Sequence, residues 1–211
     1  MKKNDCRLIV FAKAPIPGEV KTRLLPFLDV ETASILHEQL VLHCLNTAIE
    51  AEVGEIDLWC TPTIEHSFFI RCAKKFKIEL YQQIESNLGK RMSYAFNETL
   101  KKSHLALLIG TDCPSLTYVD LKEAKRILHQ GPQAVISPAE DGGYVLIGLR
   151  QYASQLFEGI SWGTEAVMEE TRRKLRRLGW QWHELPQRWD VDRPEDVERL
   201  RIEGYAHLVH L

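Results

Sequence analysis

The stretch Ala12–Leu24, AKAPIPGEVKTRL, gathers Lys13, Lys21 and Arg23 around Pro15, Pro17 and Gly18 with Glu19 as its one acid. It follows the short apolar run CRLIVF, and a turn at that point needs the prolines and the glycine but not three cations. Lys13, Lys21 and Arg23 can converge on a diphosphate, with the prolines stiffening the loop that begins at Ala12 and Gly18 letting backbone approach closely. The same residues also read as a rigid surface loop with solvated cations. The pattern is neither GxxxxGK[ST] nor GxGxxG, so a P-loop is set aside and a dinucleotide-dependent dehydrogenase is disfavoured.

Acids follow other apolar runs. In LALLIGTDCPSLT the run passes through Gly110 and Thr111 to Asp112. A carboxylate fixed just after a buried strand can coordinate Mg²⁺ or Mn²⁺, or simply accept backbone hydrogen bonds in a turn. Cys113 reads as a packed thiol, since no histidine stands near it in sequence. In SPAEDGGYVLIGL, Glu140 and Asp141 precede Gly142 and Gly143. The glycines permit a tight turn or close approach of backbone N–H groups to a ligand, and the acids can bind sugar hydroxyls, a metal or an acceptor amine.

In RWDVDRPEDVERL, Asp190 and Asp192 flank Val191. With Val191 turned into the core of a short strand, both carboxylates share the opposite face. Asp192 can then add a second carboxylate to a metal held by Asp112, while Asp190 reads as an acid opening a helix or turn. Arg91 in NLGKRM can reach a phosphate or an acceptor, or form a surface ion pair. Tyr144 and Trp162 either stack on a base or sugar or complete the core.

The elements that must position these groups are legible from periodicity. CRLIVFA, EIDLWC, KIELY, LALLIG, QAVISP, YVLIGL and the weaker WQWHEL read as strands, several of them continuous enough to be covered on both faces. Ile35, Leu36, Leu40, Cys44, Leu45 and Ala48 form a helical stripe after a cap near Asp29. Met92, Ala95, Phe96 and Leu100 predict another helix, and Leu121, Ala124 and Leu128 a third, capped at Thr117 and ending at Gly131-Pro132. The cation-rich run EETRRKLRRLG reads as a solvated helix face backed by Val167, Leu175 and Leu178. Strand-helix alternation of this kind predicts a three-layer α/β domain, residues 1–211, with a largely parallel sheet and ligands at the carboxyl ends of its strands.

Composition narrows the partners. Lys and Arg number 27 against 29 Asp and Glu, so bulk charge recruits neither nucleic acid nor an anionic membrane, and any anion site is local. Five scattered cysteines suit reduced, buried thiols and a cytoplasmic protein. No apolar run is long enough for a membrane span, and the opening MKKNDCRLIVFAKAP fits no secretory signal.

The segments VFAKAPIPGEVKTRL, NLGKRM, LLIGTDCPSLT, PAEDGGYVLIGL, ISWGT and DVDRPEDVERL resemble the DUF2064 family of small bacterial proteins, provisionally classed as glycosyltransferases and related to nucleotide-diphospho-sugar transferases. The resemblance implies a GT-A-like fold, similar to molybdenum-cofactor nucleotidyltransferases and phospholactate guanylyltransferase. It implies a nucleotide site drawn from Ala12, Lys13, Pro17, Gly18, Lys21, Arg23, Arg91, Thr111, Gly142 and Gly143. A divalent ion, Mg²⁺ or Mn²⁺, falls to Asp112 and Asp192, and an acceptor pocket is bordered by Glu140, Asp141 and Gly142. Two positions depart from the family pattern: Glu19 stands where arginine is frequent in PGRVKTRL, and Gly163 replaces a common serine in the WST segment. The activity so implied is glycosyl transfer from a nucleotide sugar to a small acceptor, with Asp112, Glu140 and Asp141 as catalytic candidates. Nucleotidyl transfer from CTP or GTP to a phosphorylated small molecule, releasing pyrophosphate, and a non-catalytic nucleotide-sugar sensor are the competing readings.

Overall fold

The computed structural model describes residues 4–84 and 86–209; residues 1–3, part of the segment read above as no secretory signal, lie outside them. All seven apolar runs are strands of one sheet: β1 (Asn4–Lys13), β2 (Glu55–Thr61), β3 (Glu79–Gln82), β4 (Ser103–Ile109), β5 (Ala134–Pro138), β6 (Tyr144–Leu149) and β7 (Trp182–Glu184). Their order is β3-β2-β1-β4-β6-β5-β7. Every pairing is parallel except those of β6, which runs antiparallel to both β4 and β5. The reason is chain length: residues 139–143 join β5 to β6, far fewer than the dozen or more a parallel crossover requires.

Helices α1 (Val30–Ala51), α2 (Ser67–Phe76), α3 (Leu88–Lys102), α4 (Tyr118–His129), α5 (Val167–Arg177) and α6 (Pro194–Ile202) complete the layers. Alternate residues of β1 serve opposite cores. Leu8 and Val10 join Val41, Phe69 and Leu121 from α1, α2 and α4 on one face. Ile9 and Phe11 join Met92, Phe96 and Leu175 from α3 and α5 on the other. This double burial explains why the strand sequence is continuously apolar. A third cluster, containing Leu24, Leu36, Leu40, Trp189, Val191 and Leu200, ties the first loop, α1 and α6 to the segment after β7.

The predicted caps form. Asp29 Oδ1 accepts the Thr32 N–H at 2.7 Å, and Thr117 and Asp120 make both arms of a capping box, with aspartate in the place of the usual glutamate. Three local expectations are revised. Ile35 is 46% exposed, because the inward face of α1 takes Ser34 and His37 beside Leu36. Helix α2 is an addition, signalled by Phe68, Cys72 and Phe76 at four-residue spacing. Around Val191 there is no short strand, only a bridge between Ala139 and Arg188, although Val191 itself is fully buried as expected. The cations of α5 do face solvent, where Arg176 pairs with Glu169 and Arg172 with Glu184. Among the described residues no helix is long and apolar enough to cross a membrane.

Candidate active site

The parallel strands bring their carboxyl ends, and the start of antiparallel β6, to one edge of the sheet. After β1 the chain stays pinned: Ala14 N–H donates to Thr61 O at 2.8 Å, and Ser34 Oγ on α1 donates to Pro15 O at 2.8 Å. Ala12 is buried, whereas Pro17 and Gly18 form the exposed tip of the loop. Lys13 Nζ folds back onto Glu19, donating to its carbonyl at 2.6 Å and lying 3.7 Å from its carboxylate. Lys21 takes a left-handed conformation (φ 49°) that non-glycine residues adopt at a cost. Its side chain, 3% exposed, reaches inward to Asp112 Oδ1 at 2.6 Å and donates to Val191 O at 2.6 Å. Arg23 pairs with Asp192.

Asp112 lies where β4 gives way to the loop before α4, beside the buried Thr111. Its side chain is 49% exposed, yet Oδ1 is turned inward and buried, so the exposure falls on the rest of the side chain. Burial alone would raise the Asp112 carboxyl; Lys21, and then His37, outweigh it and hold it below the ordinary aspartate value. His37, on the buried side of α1, donates through Nε2 to Lys13 O at 2.9 Å, which leaves Nδ1 3.8 Å from Asp112 Oδ1. Burial depresses the His37 imidazolium, although Asp112 opposes that shift. Cys113 is buried and its thiol is pushed up to about 12, chiefly by desolvation, which suits packing rather than nucleophilic attack.

The segment after β7 is threaded between the β4 and β5 ends. Arg188 N–H donates to Pro138 O and Glu140 N–H to Arg188 O. The Arg188 guanidinium grips both oxygens of buried Asp120 at 2.6 and 3.1 Å. Ser115 Oγ donates to Trp189 O at 3.0 Å, and Val191 N–H donates to Asp112 O at 2.9 Å. These bonds deliver Asp190 and Asp192 to the edge where Asp112 already stands.

Between β5 and β6, Glu140 forms a two-pronged ion pair with Arg199 of α6. Asp141 instead accepts the Gly143 N–H at 2.9 Å and, among the described residues, has no cationic partner. Gly142 is required by packing: at φ +89° a Cβ would lie 2.4 Å from Glu165 O. Gly143 lines the neighbouring cavity. Gly163 stands at φ +80°, a conformation in which serine would be strained. Arg91 lies half-buried in the first turn of α3, away from the cavity lining.

Two cavities meet at Asp141 and Asp190. One, of about 230 Å³, is walled by Phe11, Met92, Leu108, Tyr144 and Trp162. The other, of about 250 Å³, holds Glu140, Glu165 and Asp192 together with Arg23. Asp190, which the sequence presents as an acid opening a helix or turn, occupies the junction. Its carboxyl is pushed up to about 6, first by burial and then by Asp141, with Asp112 and Asp192 adding to the effect. Since the folded value exceeds the unfolded one, the native state binds the extra proton between about pH 4 and 6, and stability falls as pH rises through that window. Asp190→Asn is therefore expected to raise stability at pH 7.5 by as much as about 3 kcal/mol, with the gain vanishing near pH 4. Urea midpoints across that pH range measure it; an unchanged midpoint at pH 7.5 would show Asp190 to be well solvated.

The donor set suits a hard divalent cation. Asp112, Asp190 and Asp192 offer only oxygens, and Asp190, unlike the other two, has no cationic partner among the described residues. Among the described residues no three His, Cys, Asp or Glu side chains already converge as a cage. Magnesium ordinarily takes one or two carboxylates and completes its shell with water and substrate phosphate, so a preformed cage is not needed. The sequence signal for His37 was a polar residue on the buried stripe of α1. Asp190 had no local signal that separated it from Asp192.

The family model described as an uncharacterized protein conserved in bacteria, DUF2064, matches residues 44–164. A protein from Desulfovibrio desulfuricans G20, provisionally named a nucleotide-diphospho-sugar transferase, is 26% identical; the two structures superpose with a TM-score of 0.87 over 98% of this chain and 97% of that one. A nucleotidyl transferase from Methanothermobacter thermautotrophicus has the same fold at 10% identity, with a TM-score of 0.63 over 97% and 99% of the two chains. So does glucosyl-3-phosphoglycerate synthase from Mycobacterium tuberculosis, solved with Mn²⁺, uridine diphosphate and glucosyl-3-phosphoglycerate, at 10% identity and a TM-score of 0.58 over 98% and 78%. A search of curated protein sequences finds no match.

Proposed function

We propose a function from the premise that the chain belongs to the DUF2064 family and, with its three-layer GT-A-like fold, to the nucleotide-diphospho-sugar transferase superfamily. Within that superfamily's general transferase chemistry, the reading we favour is glycosyl transfer from a nucleotide-sugar donor to a small acceptor. The observation that carries it is the meeting of Lys21, Asp112 and the Asp190–Asp192 segment at one strand edge, through the Lys21 bonds to Asp112 Oδ1 and Val191 O.

In this reading the first loop faces the diphosphate. Lys13 and Arg23, each now resting on an acid, exchange those partners for phosphate oxygens, while Lys21 keeps Asp112 in place. Mg²⁺ or Mn²⁺, held by Asp112, Asp190 and Asp192, would neutralise charge on the diphosphate when bound. Asp141, at the cavity mouth and with no cationic partner among the described residues, takes the acceptor hydroxyl proton as that oxygen bonds to the anomeric carbon. The bond between that carbon and the diphosphate breaks, and its electron pair leaves on the nucleoside diphosphate, where the loop cations offset the growing charge. Glu140, tied to Arg199, braces α6 against the turn instead of handling a proton.

The test is a product assay with a panel of nucleotide sugars, Mg²⁺ or Mn²⁺ and mixed small-molecule acceptors. Release of nucleoside diphosphate with a glycosylated product supports the reading. Release of pyrophosphate from CTP or GTP would replace it with nucleotidyl transfer, for which the Methanothermobacter structure is a precedent of fold. Donor affinity without any turnover would replace it with a sensor.

Glu19 gives this loop a measurable handle. Its carboxylate competes with phosphate for Lys13. Glu19→Arg removes that competitor and adds a cation, so affinity for a nucleoside diphosphate should rise about three- to tenfold at low ionic strength and less at high salt. Calorimetric titration at two salt concentrations checks this, and an unaltered affinity would place the phosphates away from Lys13.

A further inference from the structure

The cavity beside Asp141 is chemically one-sided. It penetrates between the start of α3 and the β4–β6 edge, and its walls are Phe11, Met92, Leu108, Tyr144, Val145 and Trp162. Tyr144 and Trp162 meet edge to face with ring centroids 6.3 Å apart, which gives a ring system a shaped aromatic wall. Among the described residues, none that lines this cavity is Lys, Arg or His. At the mouth stand Asp141 and Asp190, and the adjoining cavity carries Glu140, Glu165, Asp192, Glu195 and Asp196 against Arg23 and Arg193. Arg23 of the first loop is already engaged by Asp192.

In the metal-free chain, a phosphorylated or carboxylated molecule entering this cavity would lose water without meeting a counter-ion on its walls and would face Asp141 and Asp190 at its mouth. Both effects oppose binding. An uncharged molecule meets neither penalty: its apolar part gains the aromatic wall, and a hydroxyl at the mouth can donate to Asp141. The volume of about 230 Å³ falls below the roughly 300 Å³ at which pockets for drug-sized ligands begin, so it holds one small ring system or a short aliphatic body.

We infer that this cavity receives the apolar body of an uncharged, hydroxyl-bearing acceptor, and that Trp162 and the acids at its mouth set that selectivity. The inference rests on the glycosyl-transfer reading and narrows its acceptor class. It separates the acceptor from phosphorylated small molecules on the ground of charge alone.

The probes are 2-naphthalenemethanol and its anionic counterpart 2-naphthoate, which share one ring system and differ in charge. Ligand-observed NMR titration of the full chain at pH 7.5, without donor or metal, gives both affinities. The alcohol is expected to bind at least about tenfold more tightly than the carboxylate, the factor that like-charge repulsion of order 1.4 kcal/mol produces. Trp162→Ala should weaken the alcohol by a similar factor. Because that variant removes packing, Leu88→Lys supplies an independent check: Leu88 lines the same cavity, is 45% exposed, and tolerates a longer polar chain. It should tighten naphthoate and shrink the margin by which the alcohol binds more tightly.

Equal or tighter binding of naphthoate to the native chain, or an alcohol affinity indifferent to Trp162→Ala in a folded variant, overturns the inference. Nucleotide-sugar affinity is measured on the same samples to separate the two readings. Donor binding together with a preference for naphthoate would sink the acceptor class and spare glycosyl transfer. Selective binding of the alcohol with no nucleotide affinity in Mg²⁺ or Mn²⁺ would remove glycosyl transfer and, with it, the acceptor role of the cavity.

Discussion

Asp112→Asn is expected to lower metal-dependent turnover by about 10²- to 10³-fold, the equivalent of the several kcal/mol that a metal-held charge contributes to phosphate chemistry. The substitution keeps the shape of the side chain and removes its charge. Two consequences follow from the geometry. The side chain loses the charge by which, in the proposed reading, it would hold a divalent ion, and Lys21, whose side chain is 3% exposed, keeps only Val191 O and a neutral amide as partners. The second effect costs stability, since a buried ammonium without a counter-ion is poorly tolerated. The measurement therefore needs a denaturation midpoint beside the rate, and nucleotide affinity with and without Mn²⁺. A folded variant that loses metal-assisted affinity and turnover together is the expected result. One that retains both would take Asp112 out of the reaction and leave it as the anchor of Lys21.

Arg7→Met should destabilise the protein by about 3–5 kcal/mol without touching the carboxyl-end site, because it strips the partner from a buried carboxylate. Arg7 on β1 and Asp57 on β2 sit well back from that edge and form two bonds, at 3.0 and 2.6 Å, with side chains 8% and 3% exposed. Glu55 adds a further contact at 2.6 Å from the surface side. Burial already raises the Asp57 carboxyl despite Arg7. Without the guanidinium it rises further, so the folded variant holds a proton that the unfolded chain lacks near neutrality. The sign follows: the loss is larger at pH 8 than at pH 5. Urea unfolding at both values tests it, and Arg7→Met with Asp57→Leu should recover most of the loss, since an apolar pair needs no counter-ion. A single variant with a midpoint close to native would mean that water reaches Asp57.

The two regions differ in how much of them was legible beforehand. Arg7 and Asp57 lie inside runs that read as strands, and nothing in the runs paired one with the other. At the site, residue types were informative. A loop with surplus cations, an acid two residues after LALLIG and two acids around Val191 all stood out, and all lie at the same sheet edge. Their individual tasks were less visible. Lys21 reads as an equal of Lys13 and Arg23 in the loop, yet it is the one that turns inward. Asp190 and Asp192 read as a pair, yet one stands at the junction of two cavities while the other pairs with Arg23.

Local chemistry therefore settled the elements: β1 is continuously apolar because both of its faces are covered, and α4 begins at Thr117 because Asp120 closes the capping box. Such signals act over a few residues, the reach of a helical turn or a strand repeat, and they are written in neighbouring letters. Tertiary structure alone decided that β6 pairs with β4, that Lys21 reaches a carbonyl 170 positions away, and that an apolar cavity opens beside an acidic one. Those outcomes depend on strand order and on which side chains meet after the sheet has closed, and no short window of sequence contains both partners.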